Sequence, residues 1–263
     1  MKIICLGTFK GGVGKTMSAF NLAGILAERG KKVLALDMDA QGNLTNNIGI
    51  DRTEENFKSV KDILEHNIKF EDVIIKSPIK ELKNLDVIGS SFYLIETEIR
   101  LMNRANRENI LKNYIEDNKD KFNEYDYVIL DTNPSMSIIN QNAFACSDSI
   151  CLVADADLNA IEGIQLFQAL WDNIRRDLRI EDNIKSIIIN KYDKRLNICK
   201  DFMDFCNEDN DIKNLVCKNV IPRNVKLQEC VLEAKPINLY DKKCAGYSAY
   251  KKLIDELRER GVL

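Results

Sequence analysis

The chain has a single histidine, His66, and none of its eight cysteines forms a Cys-x-x-Cys pair. The spacings by which proteins hold zinc are therefore missing. No apolar run approaches the roughly 20 residues that a membrane-spanning helix needs. No leader precedes the first apolar run, so no signal peptide is expected. Internal repeats, low-complexity tracts and linker-like stretches are missing too, and residues 1–263 are expected to form one domain. What remains is the composition of a globular protein with a core, 45% hydrophobic and 30% charged. Most of the cysteines sit in apolar runs, where a thiol behaves as a small hydrophobe. That usage reads as a reduced, cytosolic protein. The net charge of −3 is uneven: residues 213–263 hold 11 Lys and Arg against 6 Asp and Glu, a balance of +5, leaving −8 for the rest. A basic segment on an acidic protein can meet an anionic partner. From charge alone, an ordinary solvated face is the simpler reading.

The chain is organised around Lys10-Gly11-Gly12-Val13-Gly14-Lys15-Thr16, followed by Met17. An apolar run, Ile3 to Leu6, leads in, and an amphipathic run, Ala19 to Leu26, leads out. Strand, glycine loop and helix form the context of a phosphate-binding loop. Glycines let backbone N–H groups converge on phosphate oxygens with no Cβ in the way. A helix starting near Lys15 would add the positive end of its dipole. Lys15 would then reach the β- and γ-phosphates, and the Thr16 hydroxyl would bind Mg²⁺. A mere glycine-rich turn would not need the strand and helix on either side.

Two further strands end in carboxylates. Lys32 to Leu36 runs into Asp37-Met38-Asp39-Ala40-Gln41-Gly42-Asn43, and Tyr127 to Leu130 runs into Asp131-Thr132-Asn133-Pro134-Ser135. Open α/β sheets bind ligands at the carboxyl ends of their strands. An apolar strand followed by Asp is the arrangement that holds Mg²⁺ in phosphate-loop enzymes. A third strand, Ile184 to Ile189, precedes Asn190-Lys191-Tyr192-Asp193. Those four residues match a guanine-reading signature, so a GTPase is one reading.

The extra lysine at position 10 gives the loop its particular form, which resembles that of the ParA/MinD superfamily of deviant Walker ATPases; the rest of the chain is similar to ParA. Asp37 to Asn43 is close to the family's Asp-x-Asp-Pro-Gln-Gly-Asn, with Ala40 in place of the proline. Asn133 likewise replaces the first proline of Asp-x-Pro-Pro. Val220-Ile221-Pro222-Arg223-Asn224-Val225-Lys226-Leu227 is close to the family's Ile-Pro-Arg-Asn-Val-Arg-Leu, and the likeness continues through Lys235–Ile237 and Leu239–Asp241. The resemblance implies a homodimer with ATP sandwiched between subunits, Lys10 touching the partner's nucleotide. It implies that Asp39 positions or polarises the attacking water, while Asp37 and Asp131 support Mg²⁺ with Thr16. Adenine would lie against Asn190 and the backbone of Pro222, Arg223, Asn224 and Val225. The deviant loop and the Asp37–Asn43 segment decide for ATP over GTP.

The implied function is that of a partition ATPase. Its ATP dimer would bind double-stranded DNA without sequence preference and associate with the nucleoid. A ParB-type centromere-binding protein would stimulate a slow hydrolysis and release it. Arg223, Lys226, Lys242, Lys243, Lys251 and Lys252 are candidate phosphate contacts, although each singly reads as surface. A MinD-like positioning ATPase is the alternative, but no amphipathic tail follows the last helix and no membrane partner is expected. An iron protein of the nitrogenase type would need paired cysteines, and Cys146 has no partner at suitable spacing. A bacterial tyrosine kinase would end in a tyrosine cluster. The first strand begins at about residue 2, so no helix-turn-helix ahead of it and no direct operator binding are expected.

The expected fold is α/β: a mostly parallel twisted sheet with helices on both faces, of the deviant phosphate-loop NTPase type. Further helices are expected at Ser59–His66, Asn140–Cys146, Leu158–Leu178, Asn197–Glu208 and Gly246–Arg260, and strands at Leu85–Ile88 and Ser149–Ala154. From Phe92 to about Asn118, Leu94, Ile95, Ile99, Leu101, Met102, Ile110, Leu111, Tyr114 and Ile115 recur at helical spacing, which reads as a core-facing stripe.

Overall fold

The apolar runs become strands β1 (Lys2–Gly7), β2 (Val33–Asp37), β3 (Leu85–Ile88), β4 (Tyr127–Asp131), β5 (Ser149–Asp155) and β6 (Ile184–Asn190) in a computed structural model that describes residues 1–54, 56–157 and 159–263. They pair in parallel, in the order β3-β2-β4-β1-β5-β6. Alternate residues serve opposite faces. Ile3 and Cys5 of β1 join one core, while Ile4 and Leu6 join the other. The strands are apolar at nearly every position because both faces are covered.

On one face lie the helices Val60–His66, Leu94–Leu101, Ile110–Asp117, Ile138–Cys146, Asn159–Asp177 and Asn197–Glu208; on the other lies Lys15–Glu28, with Val225–Leu232, Ile237–Tyr240 and Ala245–Glu259. The expected α/β architecture is thus the observed one. Leu158, where the sequence reading started the fifth of these helices, lies outside the described residues. Trp171 is fully buried there, and its Nε1–H donates to Asn183 Oδ1 at 2.8 Å.

Helix Lys15–Glu28 corrects an expectation. The amphipathic reading of Ala19 to Leu26 fails, because Ser18 through Ala27 are buried without interruption. The sheet covers one side, and the C-terminal segments cover the other. Tyr250, Leu253, Ile254 and Leu257 have no exposed surface, and Tyr250 hydrogen-bonds Ser18 (3.1 Å). Ile237 N–H donates to Asn21 Oδ1 (2.7 Å), and Asn238 Nδ2 donates to the Gly24 carbonyl (3.2 Å). The approach at Gly24 is close: a Cβ would meet Pro236 at 2.5 Å and Asn238 Oδ1 at 2.9 Å. Gly24→Ala is therefore expected to destabilise by about 1–3 kcal/mol through overpacking, despite a helix-propensity gain of roughly 1 kcal/mol. Urea unfolding measures it; an unchanged or raised midpoint would refute the tight contact.

The Phe92–Asn118 stripe is also corrected. The segment breaks into Leu94–Leu101, a 3₁₀ turn at Arg107–Asn109 and Ile110–Asp117, with Asn106 left-handed at φ 54° between them. Leu94, Leu101, Leu111, Tyr114 and Ile115 are buried, but Ile95 (59%), Ile99 (64%) and Met102 (52%) are exposed. Two stripes run along the short first helix. One, at 94, 97 and 101, faces the core, so residues 95, 99 and 102 point away. Val225 begins a further helix, capped by Asn224. All eight cysteines are free thiols, six of them buried. Among the described residues no helix is long and apolar enough to cross a membrane.

Candidate functional site: the cleft at the ends of β1, β2 and β4

The loop between β1 and helix Lys15–Glu28 turns through Gly12 (φ 77°) and Gly14 (φ 89°), the latter capping the helix. Both angles lie in the left-handed region that side chains avoid. A Cβ on Gly14 would also strike the Asn190 side chain. That side chain grips the loop: Asn190 Nδ2 donates to the Val13 carbonyl (2.9 Å) and the Gly14 carbonyl (3.4 Å). Lys191 Nζ donates to the Gly12 carbonyl. The end of β6 thus holds the shape of a loop 177 residues away. Lys10, Gly11, Gly12, Val13, Gly14, Lys15, Thr16 and Met17 line an open cleft whose far wall is Asp39, Gln41 and Pro134.

Beneath the loop, strand register assembles the charges. Parallel pairing of β2 with β4 sets Asp37 opposite Asp131. Both are fully buried. Lys15 Nζ lies 3.4 Å from Asp131 Oδ1. Burial pushes the Asp131 carboxyl up, and the Lys15 charge and Thr16 hydroxyl oppose it. Burial also raises Asp37, and the Asp131 charge adds to the shift. Asp37 accepts from Asp39 N–H (3.1 Å), Thr45 N–H (2.8 Å) and Thr45 Oγ1–H (2.7 Å).

Asp131 Oδ2 is buried with no hydrogen-bond partner among the described residues. A buried orphan carboxylate oxygen beside a hydroxyl and a second carboxylate fits a divalent cation. Among the described residues no group of three or more His, Cys, Asp or Glu forms a closed cage. That suits Mg²⁺, which takes one or two carboxylates and leaves the rest of its shell to phosphate and water. Thr16, Asp131 and Asp37 are the residues that could hold it.

Asp39 lies at the wall of the cleft, and its Oδ1 accepts from Gln41 N–H (2.9 Å). Its loop is held from outside by Arg52, whose Nη1 donates to the Ala40 carbonyl (2.9 Å) and whose Nη2 donates to the Gln41 carbonyl. Lys10 Nζ lies 3.2 Å from both Asp155 Oδ1, at the end of β5, and Asp157 Oδ2. Desolvation pulls the Lys10 ammonium pKa down, but its hydrogen bonds to Asp157 and Asp155 outweigh that and leave it raised.

Next to the loop, Gly14 and Met17 share a second cleft of about 480 Å³ with Asn190, Pro222, Arg223 and Asn224, and with the apolar Leu196 and Ile198. Val225 is exposed and does not line it. Asp193, the acid that would read guanine, is occupied by Arg195, which donates to it through Nε (2.9 Å) and Nη2 (2.6 Å). The basic candidates do not form one patch of free charge. Arg223 belongs to this cleft, Lys226 pairs with Glu229 (2.8 Å), and Lys242 pairs with Glu28 (2.6 Å). Among the described residues Lys243, Lys251 and Lys252 are exposed without a carboxylate partner.

Four residues at the site escaped the sequence reading. Asp155 and Asp157 had a readable signal, two carboxylates at alternate positions after an apolar strand, as at Asp37 and Asp39. Thr45 and Arg52 had none, since nothing local marks either side chain as a partner of the Asp37–Gly42 loop.

A family model described as an AAA domain matches residues 1–186. The sporulation initiation inhibitor protein Soj of Bacillus subtilis is 34% identical over 260 residues, covering 99% of each chain. The chromosome partitioning protein ParA of Myxococcus xanthus is 32% identical over 259 residues, covering 98% of this chain and 88% of that one. Among solved structures, a putative plasmid partition protein from Borrelia burgdorferi bound to AMPPNP superposes with a TM-score of 0.80 at 26% identity, covering 98% of this chain and 99% of that one. With its deviant loop, its paired carboxylates and relatives alike over nearly its whole length, the chain belongs to the ParA family.

Proposed function

We propose that this protein is a Mg²⁺-dependent ATPase whose ATP-bound homodimer binds DNA without sequence preference and whose hydrolysis, stimulated by a ParB-type partner, releases it. The observation that carries the reading is a cleft floored by a glycine loop and lined by Lys15 and Asp39, with Asp131, 3.4 Å from Lys15, and its register partner Asp37 buried beneath it. Loop N–H groups and Lys15 bind the β- and γ-phosphates. Thr16, Asp131 and Asp37 would hold Mg²⁺, which would supply neutralisation of the charge that develops on the phosphoryl oxygens. Asp39, at the wall of the cleft, orients a water whose oxygen attacks the γ-phosphorus as the bond to ADP breaks. Adenine enters the cleft beside Asn190 and Pro222–Asn224, where Leu196 and Ile198 offer apolar surface. Engagement of Asp193 by Arg195 favours adenine over guanine. Lys10 completes the site of the partner subunit.

DNA contact is assigned to the lysines left without carboxylate partners. Two copies in a dimer would act together where one is too weak. A gel shift with Mg-ATP over a salt series is expected to show binding that is indifferent to sequence and falls steeply with salt, through counterion release. Lys243→Glu, Lys251→Glu and Lys252→Glu combined are expected to abolish it, with ATP-driven dimerisation intact. Equal affinity with and without ATP would remove the switch, and no affinity at low salt would remove DNA as the cargo.

A further inference from the structure

Asp39 to Gly42 is a tight turn, closed by Gly42 N–H donating to the Asp39 carbonyl at 2.8 Å. Its central peptide group, between Ala40 and Gln41, is used at both ends. The N–H, on Gln41, donates to Asp39 Oδ1 (2.9 Å), and the C=O, on Ala40, accepts from Arg52 Nη1 (2.9 Å). A peptide group is planar, and its C=O and N–H point in opposite directions. Whatever fixes one end fixes the other. The second arm of the guanidinium holds the next carbonyl, Gln41, so two successive peptide planes are set by one rigid fork. The fork is itself backed by a ring: Arg52 Cζ lies 3.6 Å from the centroid of Phe92.

We propose that Arg52 is a positioning residue for hydrolysis: braced on Phe92, it orients the Ala40–Gln41 peptide and through it the Asp39 carboxylate. The inference rests on the role assigned to Asp39 above. It also accounts for Ala40. Position 40 is the second residue of the turn, where proline is favoured because its ring presets φ. With alanine there the turn lacks that internal stiffening, and Arg52 supplies it from outside. No backbone acceptor is found for Ala40 N–H among the described residues, so proline at this position would sacrifice no hydrogen bond.

The test is single-turnover hydrolysis of Mg-ATP with ADP affinity measured alongside. Arg52→Gln is expected to slow hydrolysis on the order of 10- to 100-fold, the scale of a small misplacement at a reacting centre, while ADP affinity stays within about twofold. Adding Ala40→Pro to Arg52→Gln is expected to restore at least about fivefold of the rate, because it stiffens the same turn. Phe92→Ala, which keeps Arg52 but removes its brace, is expected to lose about 2- to 5-fold, the worth of a cation–π contact at a partly exposed site. Asp39→Ala is the reference. If it leaves the rate unchanged, the underlying role of Asp39 fails. If it slows the rate but Arg52→Gln does not, the positioning role fails. Equal losses of rate and ADP affinity, or no rescue by Ala40→Pro, would make Arg52 a structural residue only and overturn the proposal.

Discussion

Lys15→Ala is expected to lower the affinity for Mg-ATP by at least about 30-fold, as removing one charged partner from a desolvated phosphate contact costs about 2–5 kcal/mol or more. The same side chain also has a structural role. Lys15 is the cation facing the buried Asp131, 3.4 Å away, and its charge opposes the desolvation that raises that carboxyl. Removing one member of a buried pair leaves an uncompensated charge, at a cost of roughly 3–5 kcal/mol. Lys15→Ala should therefore unfold at lower denaturant as well as lose ATP. The double variant Lys15→Ala with Asp131→Asn separates the effects: stability should recover in large part, because the carboxylate that lost its cation is removed with it, and binding should not. Titration calorimetry and urea unfolding report the two quantities. Near-normal affinity in Lys15→Ala would place the triphosphate elsewhere.

The second large effect concerns assembly. Lys10→Ala is expected to leave ATP binding largely intact and to eliminate the ATP-dependent dimer in sedimentation, since its assigned contact is with the partner's nucleotide. In the single chain Lys10 is turned inward, on Asp155 and Asp157. It must leave those carboxylates to cross an interface. The pair is partly exposed, with side chains 40% and 36% accessible for Lys10 and Asp157, and such a pair is worth roughly 1 kcal/mol or less. Asp157→Asn should accordingly tighten the ATP dimer by no more than about 30-fold, since each of the two protomers gives up one such pair and the two free energies add in the dimerisation constant. The two variants thus have opposite signs and unequal sizes. A wild-type protein that stays monomeric with ATP and with a non-hydrolysable analogue would sink the sandwich arrangement.

Several particulars show where local pattern stops being informative. The glycine loop was legible because its parts are contiguous: the glycines, the lysine and the flanking strand and helix run from Lys2 to Glu28. Asp37, Asp39 and Asp131 were readable because each follows an apolar strand, and strand ends are where parallel sheets gather ligands. The Phe92–Asn118 stripe misled because periodicity counts apolar residues without saying how many of them a short helix can bury. The helix after the loop misled in the opposite sense, since its polar positions Ser18 and Asn21 are buried against partners more than 200 residues away.

By itself the sequence determined the six strands, the glycine loop between a strand and a helix, and the carboxylates that end two strands, because each depends on neighbours a few residues apart. Only the tertiary structure decided that Asp37 and Asp131 share one buried site, a consequence of β2–β4 register. It also decided that Asn190 shapes the loop, that Lys10 rests on Asp155 and Asp157, and that Arg52 holds the Asp39 turn against Phe92. The same holds for which lysines keep an unpaired charge, since Glu28, which neutralises Lys242, lies more than 200 residues earlier in the chain. These contacts join segments distant in the chain, and their geometry follows from how strands align and layers pack, which no local pattern encodes.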